Sequence, residues 1–203
     1  MRAVVDFRPP YGVRELAGRA ALSPATLARV IDLLAREALL TRNGRGRVTE
    51  VDWAGCIRRW AKDYEFATSN RVTSFVAPCG LEDVTAKLAN VQWRYAATGS
   101  LAAQFFSPIA PVRQAMLFVD DVDSASRALD AREADDGANL LVAEPFDDVV
   151  YERTTTADGL TIAAPSQVAA DLLTGSGRLP SLGDELLDWM RTHDATWRHS
   201  SSS

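Results

Sequence analysis

The chain has 203 residues, of which 47% are hydrophobic and 24% charged, a composition that supports one large globular domain or two small ones. It contains no run of the roughly eighteen apolar residues that a membrane-spanning helix needs, and the opening Met1-Arg2-Ala3-Val4-Val5-Asp6 reaches an acid too early for a secretory leader. With two cysteines, Cys56 and Cys79, not in CxxC spacing, and two histidines, neither a disulfide framework nor a zinc site is expected; a cytoplasmic setting without cofactor or membrane partner is.

The net charge of −5 divides unevenly. Residues 1–62 carry twelve Lys/Arg and six Asp/Glu, a net +6, and residues 63–203 carry ten and twenty-one, a net −11. A basic part facing a polyanion and an acidic part with another task is the reading this asymmetry favours.

In chain order, Val4–Phe7 runs into Arg8-Pro9-Pro10-Tyr11-Gly12, a break that proline enforces. Val13–Ala20 follows as a short helix with Val13, Leu16, Ala17 and Ala20 on one face. Ser23-Pro24 then opens a second helix to about Ala38, with serine as cap, proline in the first turn and Leu27, Val30, Ile31 and Leu34 as the buried stripe. Leu39–Arg42 and Arg47–Val51 read as paired strands around the turn Asn43-Gly44-Arg45-Gly46. Two helices, a tight turn and a basic hairpin in this order predict a winged helix-turn-helix. The candidate DNA-contacting set is Ser23, Ala25, Thr26, Arg29, Arg36, Arg42, Arg45 and Arg47: the start of the second helix reaches base edges, Arg29 offers a bidentate fork to guanine, and Arg42, Arg45 and Arg47 meet phosphate or the minor groove. Asp52–Ala61 reads as a connecting helix with Trp53, Cys56, Ile57 and Trp60 on one apolar face and Cys56 as a small buried hydrophobe.

Beyond a polar stretch through Arg71, strands and helices alternate. Helices are predicted over Leu81–Asn90, Leu101–Phe106, Ala125–Ala131, Pro165–Leu173 and Leu182–Met190. Strands are predicted over Trp93–Ala96, Val112–Asp120, Asn139–Ala143, Asp148–Glu152 and Leu160–Ala163, the last two joined through the turn Asp158-Gly159. The expected class is α/β or α+β, divided as 1–75 (DNA-binding, with its connecting helix), 76–199 (α/β domain) and a disordered tail at 200–203.

Tyr95-Ala96-Ala97-Thr98-Gly99-Ser100-Leu101-Ala102-Ala103, followed by an apolar strand, resembles the opening of the nucleotidyltransferase-like fold, in which a Gly-Ser turn precedes a strand bearing two metal-binding carboxylates. The resemblance puts Gln114 and Met116 at those positions, so it implies a degenerate, non-catalytic domain. Asp120, Asp121 and Asp123 lie just beyond, with Asp123-Ser124 expected to cap the next helix rather than bind metal. With the N-terminal motif and Ala164–Leu173 followed by Gly177-Arg178, the whole chain resembles AbiEi-type antitoxins of type IV toxin–antitoxin systems. That resemblance implies an autorepressor on promoter repeats whose C-terminal domain meets a toxin protein. The alternatives are an active metal-dependent nucleotidyltransferase and an adaptor that binds only proteins.

Overall fold

The computed structural model describes residues 1–107 and 111–200. The chain is mixed α/β and divides into two compact units, Met1–Asp63 joined by the chain from Met190 on, and Tyr64–Trp189.

In the first unit, α1 (Arg2–Asp6) is buried throughout and closes an internal ion pair, Arg2 to Asp6 at 3.2 Å. The break after it leads to Tyr11, whose backbone pairs with Val48 and whose hydroxyl donates to the Val4 carbonyl at 3.0 Å. Helices α2 (Val13–Arg19) and α3 (Pro24–Arg36) begin where the sequence places them. Ser23 caps α3 by accepting from the Thr26 amide at 3.0 Å, and Leu27, Ile31 and Leu34 form its buried stripe, while Val30 is half-buried. The hairpin β1 (Leu40–Arg42) and β2 (Val48–Val51) is antiparallel, with an irregular register beside Thr41 and Arg42. Asn43 shapes its turn: the Oδ1 accepts from the amides of Arg45 and Arg47, and Gly46 takes the positive φ of 75° that a side chain resists. Helix α4 (Trp53–Trp60), capped by Asp52, buries Ala54, Cys56 and Ile57.

The second unit is built on a seven-stranded sheet. Its elements in chain order are α5 (Phe66–Ser69), β3 (Arg71–Val76), α6 (Leu81–Leu88), β4 (Tyr95–Thr98), α7 (Gly99–Ala103), β5 (Ala115–Val119), α8 (Val122–Ala128), β6 (Arg132–Glu133), β7 (Leu140–Glu144), β8 (Thr155–Ala157), β9 (Leu160–Ile162), α9 (Pro165–Leu173) and α10 (Leu179–Thr192). The strand order is β6-β3-β7-β5-β4-β9-β8, with β5–β7 and β4–β9 parallel and the other pairs antiparallel. Strands β4 and β5 are buried at every position, which their near-continuous apolar sequences require.

Asp171 of α9 lies in the core with no solvent exposure. Its Oδ1 accepts from the Tyr64 hydroxyl at 2.6 Å and from Gln167 Nε2 at 2.9 Å, and its Oδ2 accepts from the Thr98 hydroxyl at 2.5 Å. Three side-chain donors thus offset the desolvation of one carboxyl group and fix α9 to the end of β4, just before the Gly99 turn.

Several expectations change. Asp148–Tyr151 is a 3-10 helix rather than a strand, because Asp147 caps it by accepting from the Val149 amide; the hairpin partner across Asp158-Gly159 is β8. Arg71, read as the end of a polar stretch, opens a strand, Arg71–Val76, that is paired on both sides, with β6 and β7. A boundary at 75 would cut that strand, and the units divide instead between Asp63 and Tyr64. The final segment, α11 (Asp194–Trp197) and its flanks, groups with the first unit. Arg198 donates to the carbonyls of Val5 and Phe7, His199 exchanges backbone bonds with Asp6 and Arg8, and Trp197 packs edge-on against Trp53 at 5.1 Å. Ser200 accepts from Arg19 at 2.9 Å, and the rest of the expected tail, 201–203, lies outside the described residues.

Replacing Asp171 with alanine strands three buried donors and is expected to cost about 3 kcal/mol or more, against about 1–2 kcal/mol for Tyr64→Phe, in urea unfolding. The two thiols provide a second check. Burial pushes the Cys56 thiol up to about 12, while Cys79 is exposed. A thiol reagent near neutral pH should therefore modify one cysteine in the native protein and both in denaturant.

Candidate functional site

The exposed face of α3 and the adjoining hairpin bring the predicted residues onto one unit. Helical spacing places Ala25, Arg29, Asp32 and Arg36 along one side of α3, opposite Leu27, Ile31 and Leu34, and all four are exposed. Ser23 and Thr26 are exposed at the N-terminus, but their hydroxyls bond each other at 2.9 Å, so both serve the cap.

The arginines separate into two groups. Arg42 reaches from β1 to Asp32 of α3 at 2.8 Å, and Arg47, just before β2, reaches Glu15 of α2 at 3.1 Å and the Pro10 carbonyl at 3.2 Å. These contacts tie the hairpin to both helices. Exposed ion pairs contribute little to stability singly, but here they set where the turn stands. Arg36 spends its Nε on the Asp32 carbonyl at 3.3 Å. Arg29 and the Arg45 side chain have no partner among the described residues. Of the arginines assigned to contact, Arg42 and Arg47 are thus occupied in positioning, and Arg29 and Arg45 carry available charge.

Arg14 was not among the predicted residues. It is exposed on α2 and unpartnered among the described residues. Its place off the face formed by Val13, Leu16, Ala17 and Ala20 was the available signal. Asp32 is the unexpected acid on this face, and its charge is answered by Arg42. Residues 1–63 with 190–203 carry fourteen Lys/Arg and eight Asp/Glu, so the redrawn unit keeps its net +6.

In the second unit, Gly99 has a φ of 61°, and a methyl group there would overlap the Met116 side chain. Ser100 donates to the Gln114 carbonyl at 2.8 Å. Gln114 is half-buried, and Met116 is buried against the turn. Neither side chain can supply an anion to a metal. Arg94 holds Asp120 through paired bonds of 2.7–3.2 Å, also reaches Asp148, and stacks over Tyr151 at 4.1 Å. The guanidinium bonds hold the Asp120 carboxyl below its ordinary range. Asp121, rather than Asp123, caps α8, accepting from the Ser124 amide at 2.6 Å, and that bond lowers its carboxyl likewise. Asp123 is exposed in the first turn of α8. The cap falls two residues earlier than expected because the helix starts at Val122.

Comparisons with family models, with curated proteins and with solved structures return no match to this chain.

Ser23→Ala removes the α3 cap and is expected to cost about 1 kcal/mol in denaturant unfolding, whereas Thr26→Ala, which leaves the capping oxygen in place, should cost less.

Proposed function

We propose that the chain is a sequence-specific double-stranded DNA-binding transcriptional regulator of the AbiEi antitoxin type. The observation that carries the reading is the combination on one basic unit of a serine-capped helix presenting an unpaired Arg29 and a hairpin presenting an unpaired Arg45, with the hairpin tethered by Arg42–Asp32 and Arg47–Glu15. In this reading α2 and α3 are a helix-turn-helix, β1–β2 is its wing, and α3 enters the major groove. Arg29 reads a base edge, and Arg45, with Arg14, meets phosphate. Arg42 neutralises Asp32, which would otherwise repel the backbone.

The second unit then acts as a degenerate nucleotidyltransferase-like domain that performs no catalysis and binds a protein partner, a cognate toxin in the antitoxin case. Gln114 and Met116 support this because they offer no carboxylate beside the Gly-Ser turn. Among the described residues no helix is long and apolar enough to cross a membrane, and the regulator reading places the protein in the cytoplasm, acting on its own promoter repeats.

The test is binding to the chain's own upstream DNA and to random duplex at two salt concentrations. A preference for the upstream duplex and salt-sensitive affinity for both are expected; absence of binding to either would leave the protein-only adaptor and the metal-dependent transferase. Arg29→Ala should relax discrimination at one or two base pairs by about 1–3 kcal/mol. Arg45→Gln should weaken binding to all sequences and reduce the salt slope by about one. Asp32→Asn should strengthen binding to all sequences and steepen the slope, because the Arg42 charge is then no longer cancelled.

A further inference from the structure

Residues 64–189 contain eight Lys/Arg among nineteen Asp/Glu. In so acidic a unit a cation has many anions within reach, and half of the eight pair with one. Arg71 pairs with Glu144, Lys87 with Asp83 and Asp130, Arg94 with Asp120 and Asp148, and Arg153 with Glu152, while Arg127 donates to Ser124. Three are exposed without a partner among the described residues: Arg113, Arg132 and Arg178. Two of these, Arg113 and Arg178, line the same cavity, of about 290 Å³.

Arg113 stands just before β5, and Arg178 follows Gly177, whose φ is 64°. The cavity wall also holds the Ser176 hydroxyl, the Gln114 amide and Ser100, with Leu182 on its apolar side and no acid among the described residues that line it. Gln114 spends one amide hydrogen on a long bond to the Ala138 carbonyl, 3.4 Å, and Ser100 points its proton at the Gln114 carbonyl. The groups left over include several donors: two guanidinium forks, a hydroxyl and an amide hydrogen. Guanidinium forks match the oxygens of a phosphate. The volume lies at the lower end for small-ligand pockets, which suits a monoester with a small organic group against Leu182.

We infer that this cavity is a binding site for a small phosphate monoester, held by Arg113 and Arg178. The site lies wholly within the second unit and stands independently of the DNA-binding reading. It binds its ligand without a metal: the two guanidinium groups supply the positive charge, and no bond is made or broken.

Phenyl phosphate, titrated into the full chain by calorimetry at low salt, tests it, with phenol and inorganic phosphate as controls. Saturable binding is expected, tighter than that of either control. Arg113→Gln and Arg178→Gln should each weaken it about tenfold, the loss expected for one charge-assisted contact, and the double variant should abolish it. Arg132→Gln, equally exposed and unpaired in the same unit, should leave it unchanged. Both cavity arginines are exposed, so circular dichroism and melting should match the unsubstituted chain. Absence of saturable binding, equal affinity in the double variant, or an equal loss on Arg132→Gln would overturn the site. Displacement by random duplex DNA would overturn it too, by assigning the arginines to a nucleic-acid backbone.

Discussion

A guanidinium that already bonds a carboxylate is an orienting strut, while one left facing water is a charge available to a ligand. The pairing is decided by which acids lie within reach of a long side chain, and in this chain it organises both units. In the basic unit Asp32 and Glu15 take Arg42 and Arg47, which fixes the hairpin against α3 and α2 and leaves Arg29, Arg45 and Arg14 outward. In the acidic unit, where carboxylates outnumber cations, three arginines are still without a partner among the described residues, and two of them share one cavity. Each surface is defined by the charges that internal pairing leaves over.

The two units handle buried polarity differently. The basic unit buries one ion pair, Arg2–Asp6, inside a short helix. The acidic unit buries the Asp171 carboxyl group among the Tyr64 and Thr98 hydroxyls and the Gln167 amide. Desolvation and the neighbouring Asp171 push the Tyr64 phenol well up, so it remains a donor at any physiological pH. The network holds the end of β4, and with it the Gly99-Ser100 turn whose hydroxyl and neighbours form part of the cavity wall. Core polarity and candidate ligand site are therefore linked through one strand.

The carboxylates that follow β5, at the far end of the β4–β5 pair from the Gly99 turn, are committed elsewhere. Asp120 is clamped by Arg94, Asp121 caps α8, and Met116 fills the space beneath Gly99. What remains near the turn is donor-rich and cationic rather than anionic.

The sequence by itself determined the features that rest on short-range physics. The Ser23-Pro24 start of α3, the turn of Asn43 to Gly46, the Asp158-Gly159 turn and the Pro165 start of α9 each need only a cap, a fixed φ or a residue tolerant of positive φ, all supplied within a few positions. The charge asymmetry was legible for the same reason, since it needs only counting. Tertiary structure alone decided whatever depends on distant partners. Arg71–Val76 buries only Phe75 fully, so its pattern is weak, and its identity as a strand comes from β6 and β7 on either side. The return of Trp197, Arg198 and His199 to the first unit spans nearly the whole chain. Which arginines are paired and which are available follows from contacts between residues ten to several tens of positions apart. A side chain's residue type sets its chemistry, but its neighbours in space decide whether that chemistry is already spent.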